Sequence, residues 1–381
     1  MVVRMEAGIG ANDPLVTAVA AKALQYGLKP DVRMEKGTNY PLTEIYLLDG
    51  ERVRSRTVSD HLFRLPGVDN VERVTPSMVT LACNGARDAH HIQLSPSIKI
   101  GYGLPCQPII GPCTVYPDIK QTVSELTKMG IKAIRGGCWK PRSSAYSFRG
   151  FGRKALRWLL EAAGENGVEI VWTEALESKH IEDIRRIKKE VGYPGEIGIW
   201  IGARSAGNQE LHVELGKQHE FPVIIKNGIY ERMVRQLFTR VEFVLAGPMH
   251  WREDGTLDEA RSLPRGNNRV GICVRGTESL DPDSPFRFAP NHSLIATIHE
   301  KSWAPVGVDP SHSAGTMRND LVLKNLASAL AYGPDFVMVE AGYPDECLGR
   351  CDAEQNIPLR RVPEVLEIIA EHNRRNDLIL A

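Results

Sequence analysis

The chain has 381 residues, of which 42% are apolar and 25% charged, and its 47 Lys and Arg balance its 47 Asp and Glu. Such a composition is typical of a globular protein with a sizeable core, and a net charge of zero gives no reason to expect nucleic acid or an anionic membrane as a partner. We expect a cytoplasmic location, because no apolar run approaches the roughly 18 to 20 residues that span a bilayer, no signal peptide is evident, and seven scattered cysteines suit reduced thiols.

The first predicted domain covers residues 1–82 and has the order βαββαβ. A strand in "MVVRMEAG" precedes a helix that begins at Asp13 and Pro14 and ends at Gly27. The segments "PDVRMEKG" and "TEIYLLDG" alternate as a strand pair, "RTVSDHLFRLPGV" predicts the second helix, and "DNVERVTP" predicts the last strand. This order is typical of a ferredoxin-like fold, and residues 83–107 follow as a linker with a short hairpin.

From residue 108 to 381, short apolar runs alternate with amphipathic helical segments. The runs are "PIIGPC", "KAIRGG", "EIVWTEA", "EIGIWIGA", "PVIIKNG", "RVGICVRG", "PVGVDPSH" and "DFVMVEAG". Strands this apolar have no face for water, so they predict an α/β fold in which a parallel (β/α)8 TIM barrel follows the small domain. A doubly wound open sheet is the alternative. Residues 248–268 form an apparent insertion before the sixth strand.

Each predicted barrel strand ends in a residue suited to chemistry. The carboxyl ends of barrel strands form the face that carries the site in such enzymes, so we expect these side chains to converge. For any one of these residues, a solvated strand end is the simpler explanation. It is a poor explanation for a suitable residue at the end of all eight strands. In chain order the residues are Cys113, Arg135, Glu174, Arg204, Lys226, Arg275, His312 and Glu340.

These residues and their neighbours fall into two chemical groups. A set of cations predicts a ligand set with several negative charges, such as two phosphates and a carboxylate; its members are Arg135, Lys140, Arg142, Arg204, Lys226 and Arg275. A mixed set of sulfur, nitrogen and oxygen donors suits a divalent metal ion such as Mn²⁺, Fe²⁺, Co²⁺ or Zn²⁺; its members are Cys113, His312, Glu340 and Asp352. For any one member, a structural salt bridge or a buried thiol remains the simpler interpretation.

Seven ordered blocks of the chain resemble a known family. They are "IIGPCTVY", "IRGGCWKPRSSAYSFRGFG", "IGARSAGNQEL", "VIIKNG", "VRGTES", "VDPSHSAGTMRNDL" and "VMVEAGYPD". Together they resemble the type I 3-deoxyheptulosonate-phosphate (DAHP) synthases, in particular the branch with an N-terminal ferredoxin-like domain. The resemblance implies a metal-dependent transferase of the shikimate pathway of aromatic amino acid biosynthesis. Such an enzyme condenses phosphoenolpyruvate with erythrose 4-phosphate and releases phosphate.

The resemblance also implies roles for individual residues. Phosphoenolpyruvate is expected at Arg135, Lys140, Arg204, Lys226 and Arg275, and the aldose phosphate at Arg142 and Ser143. A divalent metal is expected at Cys113, His312, Glu340 and Asp352, and the catalytic residues are expected to be Lys140, Arg135 and His312. The family further implies a homo-oligomer, either a dimer or a tetramer, and a small N-terminal domain that could regulate the enzyme.

Other functions remain open at this point. An octulosonate-phosphate synthase would use a different aldose phosphate, although its usual "KANRSS" differs from "KPRSS" here. A sialic-acid-synthase-like enzyme would use an unphosphorylated sugar and would leave Arg142 and Ser143 without a purpose. A catalytically inactive sensor that keeps the barrel is the alternative from another class. Departures such as "CVRG" and "VEAGYP" from the usual family patterns indicate a divergent member, and they suggest one that serves a specialised pathway.

Overall fold

The computed structural model describes residues 1–36, 40–48, 56–72, 82, 90–142, 144–231, 233–255, 257–262, 266–314, 318–342 and 356–380. The chain divides into two compact units. The first contains Met1–Thr80 together with His250–Glu259, and the second contains Leu81–Met249 and Ala260–Ala381. Part of the apparent insertion at 248–268 therefore groups with the first unit.

The first unit is built on an antiparallel sheet. Its strand order is β2-β3-β1-β4, as expected for the predicted βαββαβ arrangement. Asp13 begins the first helix as predicted, because its side chain accepts a hydrogen bond of 2.9 Å from the Leu15 amide. The elements are β1 (Val2–Met5), α1 (Pro14–Gln25), β2 (Lys29–Lys36), β3 (Pro41–Leu48), α2 (Arg56–Phe63) and β4 (Val68–Glu72).

The second unit confirms the predicted parallel barrel. Within the described residues, eight strands pair in chain order, and the last of them pairs with both the seventh and the first, which closes the ring. The barrel strands are β7 (Gln107–Gly111), β8 (Ala133–Arg135), β9 (Ile170–Glu174), β10 (Glu196–Ile201), β11 (Val223–Lys226), β12 (Val270–Val274), β13 (Val306–Val308) and β14 (Phe336–Gly342). A hairpin of β5 (Ile92–Gln93) and β6 (Lys99–Ile100) precedes them, and β15 (Ile357–Pro358) pairs with β14.

Helices follow the barrel strands as the amphipathic segments predict. No helix in the described part of the chain is long and apolar enough to cross a membrane. The helices are α3 (Ile119–Lys128), α4 (Arg153–Glu165), α5 (Lys179–Val191), α6 (Gln209–Gly216), α7 (Val234–Ala246), α8 (Glu259–Ser262), α9 (Ser293–Lys301), α10 (Pro310–Ser313), α11 (Asn319–Leu330) and α12 (Val362–Leu380), with a 3-10 turn at Leu359–Arg361.

The predicted hairpin closes the amino-terminal end of the barrel. Its apolar side chains, among them Ile92 and Ile100, belong to the same buried cluster as Trp172, Trp200 and Phe336 of the barrel interior. The turn of the hairpin is fixed by Glu169, the residue before β9, whose carboxylate accepts hydrogen bonds of 2.7 Å from the hydroxyl groups of Ser95 and Ser97. Within the described residues, the barrel is therefore filled by apolar side chains at the amino-terminal end of its strands.

Packing inside the barrel requires glycine at Gly198. This residue lies beside Trp172 on the neighbouring strand, and a Cβ atom at position 198 would collide with the indole ring. We expect Gly198→Ala to destabilise the protein by about 1–3 kcal/mol, because a full core cannot accept an added methyl group without displacing the ring. Urea unfolding followed by tryptophan fluorescence measures the loss. Gly207→Ala is the matched control, since Gly207 is exposed with open space around it, and an equal loss in both variants would contradict the expectation.

Candidate active site

A cavity lies at the open, carboxyl end of the barrel. Residues from successive strand ends line it, as the barrel geometry predicts. Cations predominate among the charged groups, while Trp200 and Ile229 supply apolar surface. The lining residues are Arg135, Lys140, Pro141, Arg142, Glu174, Trp200, Gly202, Ala203, Arg204, Lys226, Ile229, Arg275 and His312.

Arg135, the last residue of β8, is buried against two carboxylates. Its guanidinium lies 3.0 Å from Glu340 and 3.8 Å from Asp309. Burial opposes the charge, but the carboxylates outweigh it and raise the pKa of Arg135, so this side chain is a permanent cation. Its Nη1 and Nε atoms lack hydrogen-bond partners among the described residues. Donors are therefore available to a ligand.

Lys226, the last residue of β11, is held by Asp309. The Lys226 ammonium donates a hydrogen bond to Asp309 Oδ2, and both side chains are buried. The Trp200 ring lies beneath this lysine and Arg135, with its centre 5.3 Å from Lys226 Nζ and 4.8 Å from the Arg135 guanidinium carbon. Because the face of an indole ring is negative, Trp200 stabilises both cations and separates them from the apolar barrel interior.

Asp309 also holds His312. Its Oδ2 atom lies 2.7 Å from His312 Nδ1, and its Oδ1 atom accepts a hydrogen bond of 3.2 Å from the His312 amide, which begins the short helix α10. Burial alone would raise the pKa of Asp309, but its contacts with His312, Lys226 and Arg135 hold it well below the usual range. Burial lowers the pKa of His312, so its ring is neutral near pH 7.

Glu340 faces the other nitrogen of His312. Its Oε1 atom lies 3.7 Å from His312 Nε2, and neither carboxylate oxygen receives an aligned hydrogen bond from the described residues. Burial, together with the nearby Cys113 thiol, raises the pKa of Glu340 to about 6. This carboxylate is thus buried with acceptor capacity unused, which is costly unless another group binds there.

Lys140 connects the loop after β8 to Cys113. Its Nζ atom lies 3.1 Å from both the sulfur and the carbonyl oxygen of Cys113, and both residues are buried. The Lys140 amide donates a hydrogen bond of 2.9 Å to the Arg149 carbonyl, so the loop folds back on itself. A Cβ atom at Gly150, where φ is +86°, would collide with the Cys138 carbonyl. This close approach explains why glycine stands at position 150.

Arg275 follows β12 and is buried against an aromatic ring. Its guanidinium carbon lies 4.1 Å from the centre of the Phe288 ring, and its Nη1 atom lacks a hydrogen-bond partner in the described structure. Burial lowers the pKa of Arg275 to about 10, so it remains charged at neutral pH. The side-chain oxygen of buried Asn227 accepts a hydrogen bond of 2.7 Å from the Arg275 amide. Asn227 thereby joins the ends of β11 and β12, next to Lys226.

The remaining predicted substrate residues lie nearer to solvent. Arg142 is half-buried and donates a hydrogen bond of 2.8 Å from Nε to the Phe148 carbonyl, while Arg204 is exposed at the rim. Ser143 lies outside the described residues. The cations thus form two levels, with Arg135, Lys140, Lys226 and Arg275 buried below Arg142 and Arg204.

Side chains that could bind a metal ion are present near the cavity, but the described residues do not form a complete metal site. No group of three or more His, Cys, Asp and Glu residues is placed to hold a metal in the described ranges, and Asp352 lies outside them. His312 presents Nε2 toward Glu340 while Asp309 binds its other nitrogen, the arrangement common for metal-binding histidines. The unused acceptors of Glu340 and the nearby Cys113 sulfur also fit a divalent cation.

Sequence reasoning did not identify Asp309 or Trp200 as part of this site. The structure brings Arg135, Lys140, Lys226, Arg275, His312 and Glu340 to one end of the barrel, and Asp309 contacts three of them. One expectation needs correction, because His312 lies in helix α10 rather than at a strand end and Glu340 lies within β14. The signal for Asp309 was the "VDPSH" segment itself, where an acidic residue stands three positions before the histidine.

Comparisons with known proteins agree with this architecture. The sequence model of the DAHP synthetase I family matches residues 86–377. A phospho-2-dehydro-3-deoxyheptonate aldolase of Thermotoga maritima is 29% identical over 360 residues, which cover 94% of each chain. The crystal structure of the phospho-2-dehydro-3-deoxyheptonate aldolase (DAHP synthase) from Thermotoga maritima matches with a TM-score of 0.71 and 28% identity, over 99% of this chain and 97% of that one. A truncated 3-deoxy-D-arabino-heptulosonate 7-phosphate synthase from the same organism matches with a TM-score of 0.58 and 28% identity, over 76% and 93%.

The buried Glu174 carboxylate predicts a pH dependence of stability. Burial raises its pKa above 4.5 despite the nearby charges of Lys140, Lys226 and Arg135. The folded state then binds more protons than the unfolded state, so the free energy of unfolding falls as pH rises from about 4.5 through the folded pKa. We expect Glu174→Gln to remove the part of the pH-dependent fall in the free energy of unfolding that this carboxylate causes. Urea unfolding of both proteins between pH 4.5 and 8 measures it, and parallel curves for the two proteins would contradict the assignment.

Proposed function

This chain belongs to the DAHP synthetase I family, whose sequence model matches most of its length. From that premise, we propose that it condenses phosphoenolpyruvate with erythrose 4-phosphate. The products are 3-deoxyheptulosonate 7-phosphate and phosphate. The observation that carries the proposal is the convergence of the buried cations Arg135, Lys140, Lys226 and Arg275 on one cavity of a chain without net charge. Such a local excess of positive charge suits two polyanionic substrates. The Thermotoga maritima relative named phospho-2-dehydro-3-deoxyheptonate aldolase supports the same reaction.

Phosphoenolpyruvate occupies the lower level of the cavity, and its phosphate extends upward to Arg204 at the rim. Arg135 and Lys140 bind its carboxylate, Lys226 orients its enol, and Arg204, Lys226 and Arg275 bind its phosphate. Support comes from burial, because charge-assisted hydrogen bonds are stronger where water is excluded. The unpartnered Nη1 atoms of Arg135 and Arg275 add donors that a carboxylate and a phosphate would satisfy.

The aldose phosphate occupies the upper level, at Arg142 and Ser143. Arg142 lines the cavity, and its Nε atom binds the Phe148 carbonyl within its own loop. That hydrogen bond orients the guanidinium plane. Because Lys140 and Arg142 belong to the same short loop, one segment of backbone positions both substrates.

The reaction joins carbon 3 of the enol to the aldehyde carbon of the aldose. Water adds at carbon 2, and loss of phosphate leaves the 2-keto product. Two polyanions repel one another, so the preplaced cations contribute to the rate by holding them in contact and by stabilising the departing phosphate. Lys140 and Arg135 touch the reacting half of phosphoenolpyruvate and are the proposed catalytic residues, together with His312 at the aldehyde.

A divalent metal ion, Mn²⁺, Fe²⁺, Co²⁺ or Zn²⁺, completes the proposed site. Cys113, His312, Glu340 and Asp352 would hold it, and the ion would supply Lewis-acid polarisation of the aldehyde oxygen. Support comes from the buried Glu340 oxygens, which receive no aligned hydrogen bond from the described residues, and from the orientation of His312 by Asp309.

The proposal also covers the regulation, the cellular location and the assembly of the protein. The first unit regulates the enzyme, a role that its ferredoxin-like topology allows. A cytoplasmic location is supported by the buried thiols of Cys106, Cys138 and Cys273, which form no disulfide within the described residues. Assembly as a dimer or tetramer is supported by the family resemblance alone.

A phosphate-release assay tests the activity. We expect the purified protein with Mn²⁺ and phosphoenolpyruvate to release phosphate when erythrose 4-phosphate is added, and to stop when a chelator removes the metal. Arabinose 5-phosphate and unphosphorylated N-acetylmannosamine are the comparison acceptors. A higher kcat/KM with either of them would overturn the choice of aldose, and no release with any acceptor would overturn the activity.

The role of Arg142 gives a residue-level prediction. We expect Arg142→Ala to raise the KM for erythrose 4-phosphate by about 10- to 1000-fold, because a charge-assisted contact to phosphate contributes about 1.5–3 kcal/mol or more. The KM for phosphoenolpyruvate should change much less. Arg149→Ala is the matched control, since Arg149 is exposed in the same loop and does not line the cavity. Equal effects on both substrates would refute the division of the cavity into two levels.

A further inference from the structure

Asp309 joins the two halves of the proposed site through a single carboxylate. Its Oδ2 atom accepts a hydrogen bond from Lys226 Nζ and lies 2.7 Å from His312 Nδ1. Arg135 Nη1 lies 3.8 Å from the same oxygen. The side chain is completely buried. One acidic group therefore contacts residues assigned to phosphoenolpyruvate and a residue assigned to the metal ion.

The backbone around Asp309 is fixed, so the carboxylate has one position. The Asp309 amide donates a hydrogen bond of 2.7 Å to the Val274 carbonyl at the end of β12. Its Oδ1 atom accepts a hydrogen bond from the His312 amide, and the hydroxyl oxygen of Ser311, in the same short helix, accepts a hydrogen bond of 2.9 Å from the Glu340 amide. Helix α10 is thus connected to β12 and β14, and the Asp309 side chain cannot leave without breaking these contacts.

We propose that Asp309 is a positioning residue that fixes the tautomer of His312 and at the same time restrains Lys226 and Arg135. This inference rests on the proposed function. An ionised carboxylate only accepts hydrogen bonds, so His312 must carry its proton on Nδ1, and Nε2 keeps its lone pair toward Glu340. The histidine is a ligand or acceptor at Nε2 only in this tautomer.

The same carboxylate competes with the substrate for Lys226 and Arg135. Before phosphoenolpyruvate binds, Asp309 partly neutralises these buried cations; it is bonded to Lys226, and it shares Arg135 with the nearer carboxylate of Glu340. Removing its charge should therefore strengthen the binding of an anion at the lower level while it weakens the chemistry that depends on His312. A merely structural role would not lower kcat while it leaves the binding of phosphoenolpyruvate unchanged or stronger.

The test compares Asp309→Asn with wild-type protein. We expect kcat to fall by about 10- to 100-fold, as for other groups that orient a metal-binding histidine. We expect the KM for phosphoenolpyruvate, and its Kd measured by calorimetry on metal-free protein, to stay equal or fall. A kcat within twofold of wild type, or a rise of both KM and Kd, would overturn the proposal.

The matched control is Asp335→Asn at the opposite end of the barrel. Asp335 is also buried, its Oδ2 atom lies 3.1 Å from a histidine nitrogen, here His299 Nε2, and the same atom accepts a hydrogen bond from the Val306 amide. Loss of a buried Asp–His pair should lower the melting temperature in both variants, but only Asp309→Asn should lower kcat. An equal fall of kcat in both would show a structural effect and would refute the positioning role.

A spectroscopic measurement keeps the proposal testable even if Asp309→Asn does not fold. Metal-free wild-type protein labelled with ¹⁵N-histidine should show His312 with its proton on Nδ1, and the signal is identified by its disappearance in His312→Gln. A proton on Nε2 would overturn the proposal. This measurement needs no turnover, so it tests the positioning role independently of the proposed activity. The activity itself is tested by the phosphate-release assay on wild-type protein.

Discussion

Buried positive charge has to be balanced before any substrate arrives, and this constraint organises the open end of the barrel. Arg135, Lys140, Lys226 and Arg275 are buried there, each costly to remove from water. Carboxylates at Glu174, Asp309 and Glu340, together with the rings of Trp200 and Phe288, supply the balance. The balance is incomplete, because donors on Arg135 and Arg275 lack partners in the described structure. The site is therefore stable without ligand and still attractive to anions.

The barrel makes this arrangement possible by dividing its interior into zones. Trp200 belongs to the apolar cluster that fills the barrel, yet the face of its ring lies against two of the cations. Below it the packing is tight enough to require glycine beside Trp172, and above it polar groups come from several different strands. A rigid lower zone fixes the directions of the strand ends. The strand ends in turn fix the distances between the charged groups, and short loops alone could not maintain these distances.

The fold was largely predictable from sequence, and the charges of the site were predictable as a group. Strands buried on both faces must be apolar runs, and a lysine or arginine where such a run ends is unusual enough to be noticed in "KAIRGG" or "PVIIKNG". The pairing of these groups was not predictable, because Lys226 and Asp309 are 83 residues apart and meet only when the barrel closes. Asp309 was also hidden by its local context, since an aspartate before a proline is explained sufficiently by its helix-capping role, which it does fulfil. Trp200 was hidden likewise, because an aromatic residue in a strand is ordinarily explained by packing.

The hairpin that blocks the lower end of the barrel has a consequence for the order of events. In the described part of the chain, the cavity opens at the carboxyl ends of the strands, so its ligands enter and leave by that route. On the proposed assignment, the ligand of Lys226 and Arg275 lies beneath the ligand of half-buried Arg142, so it has to enter first and is trapped once the second has bound. Turnover then follows a last-in, first-out sequence in which the inorganic product leaves only after the upper occupant has moved aside.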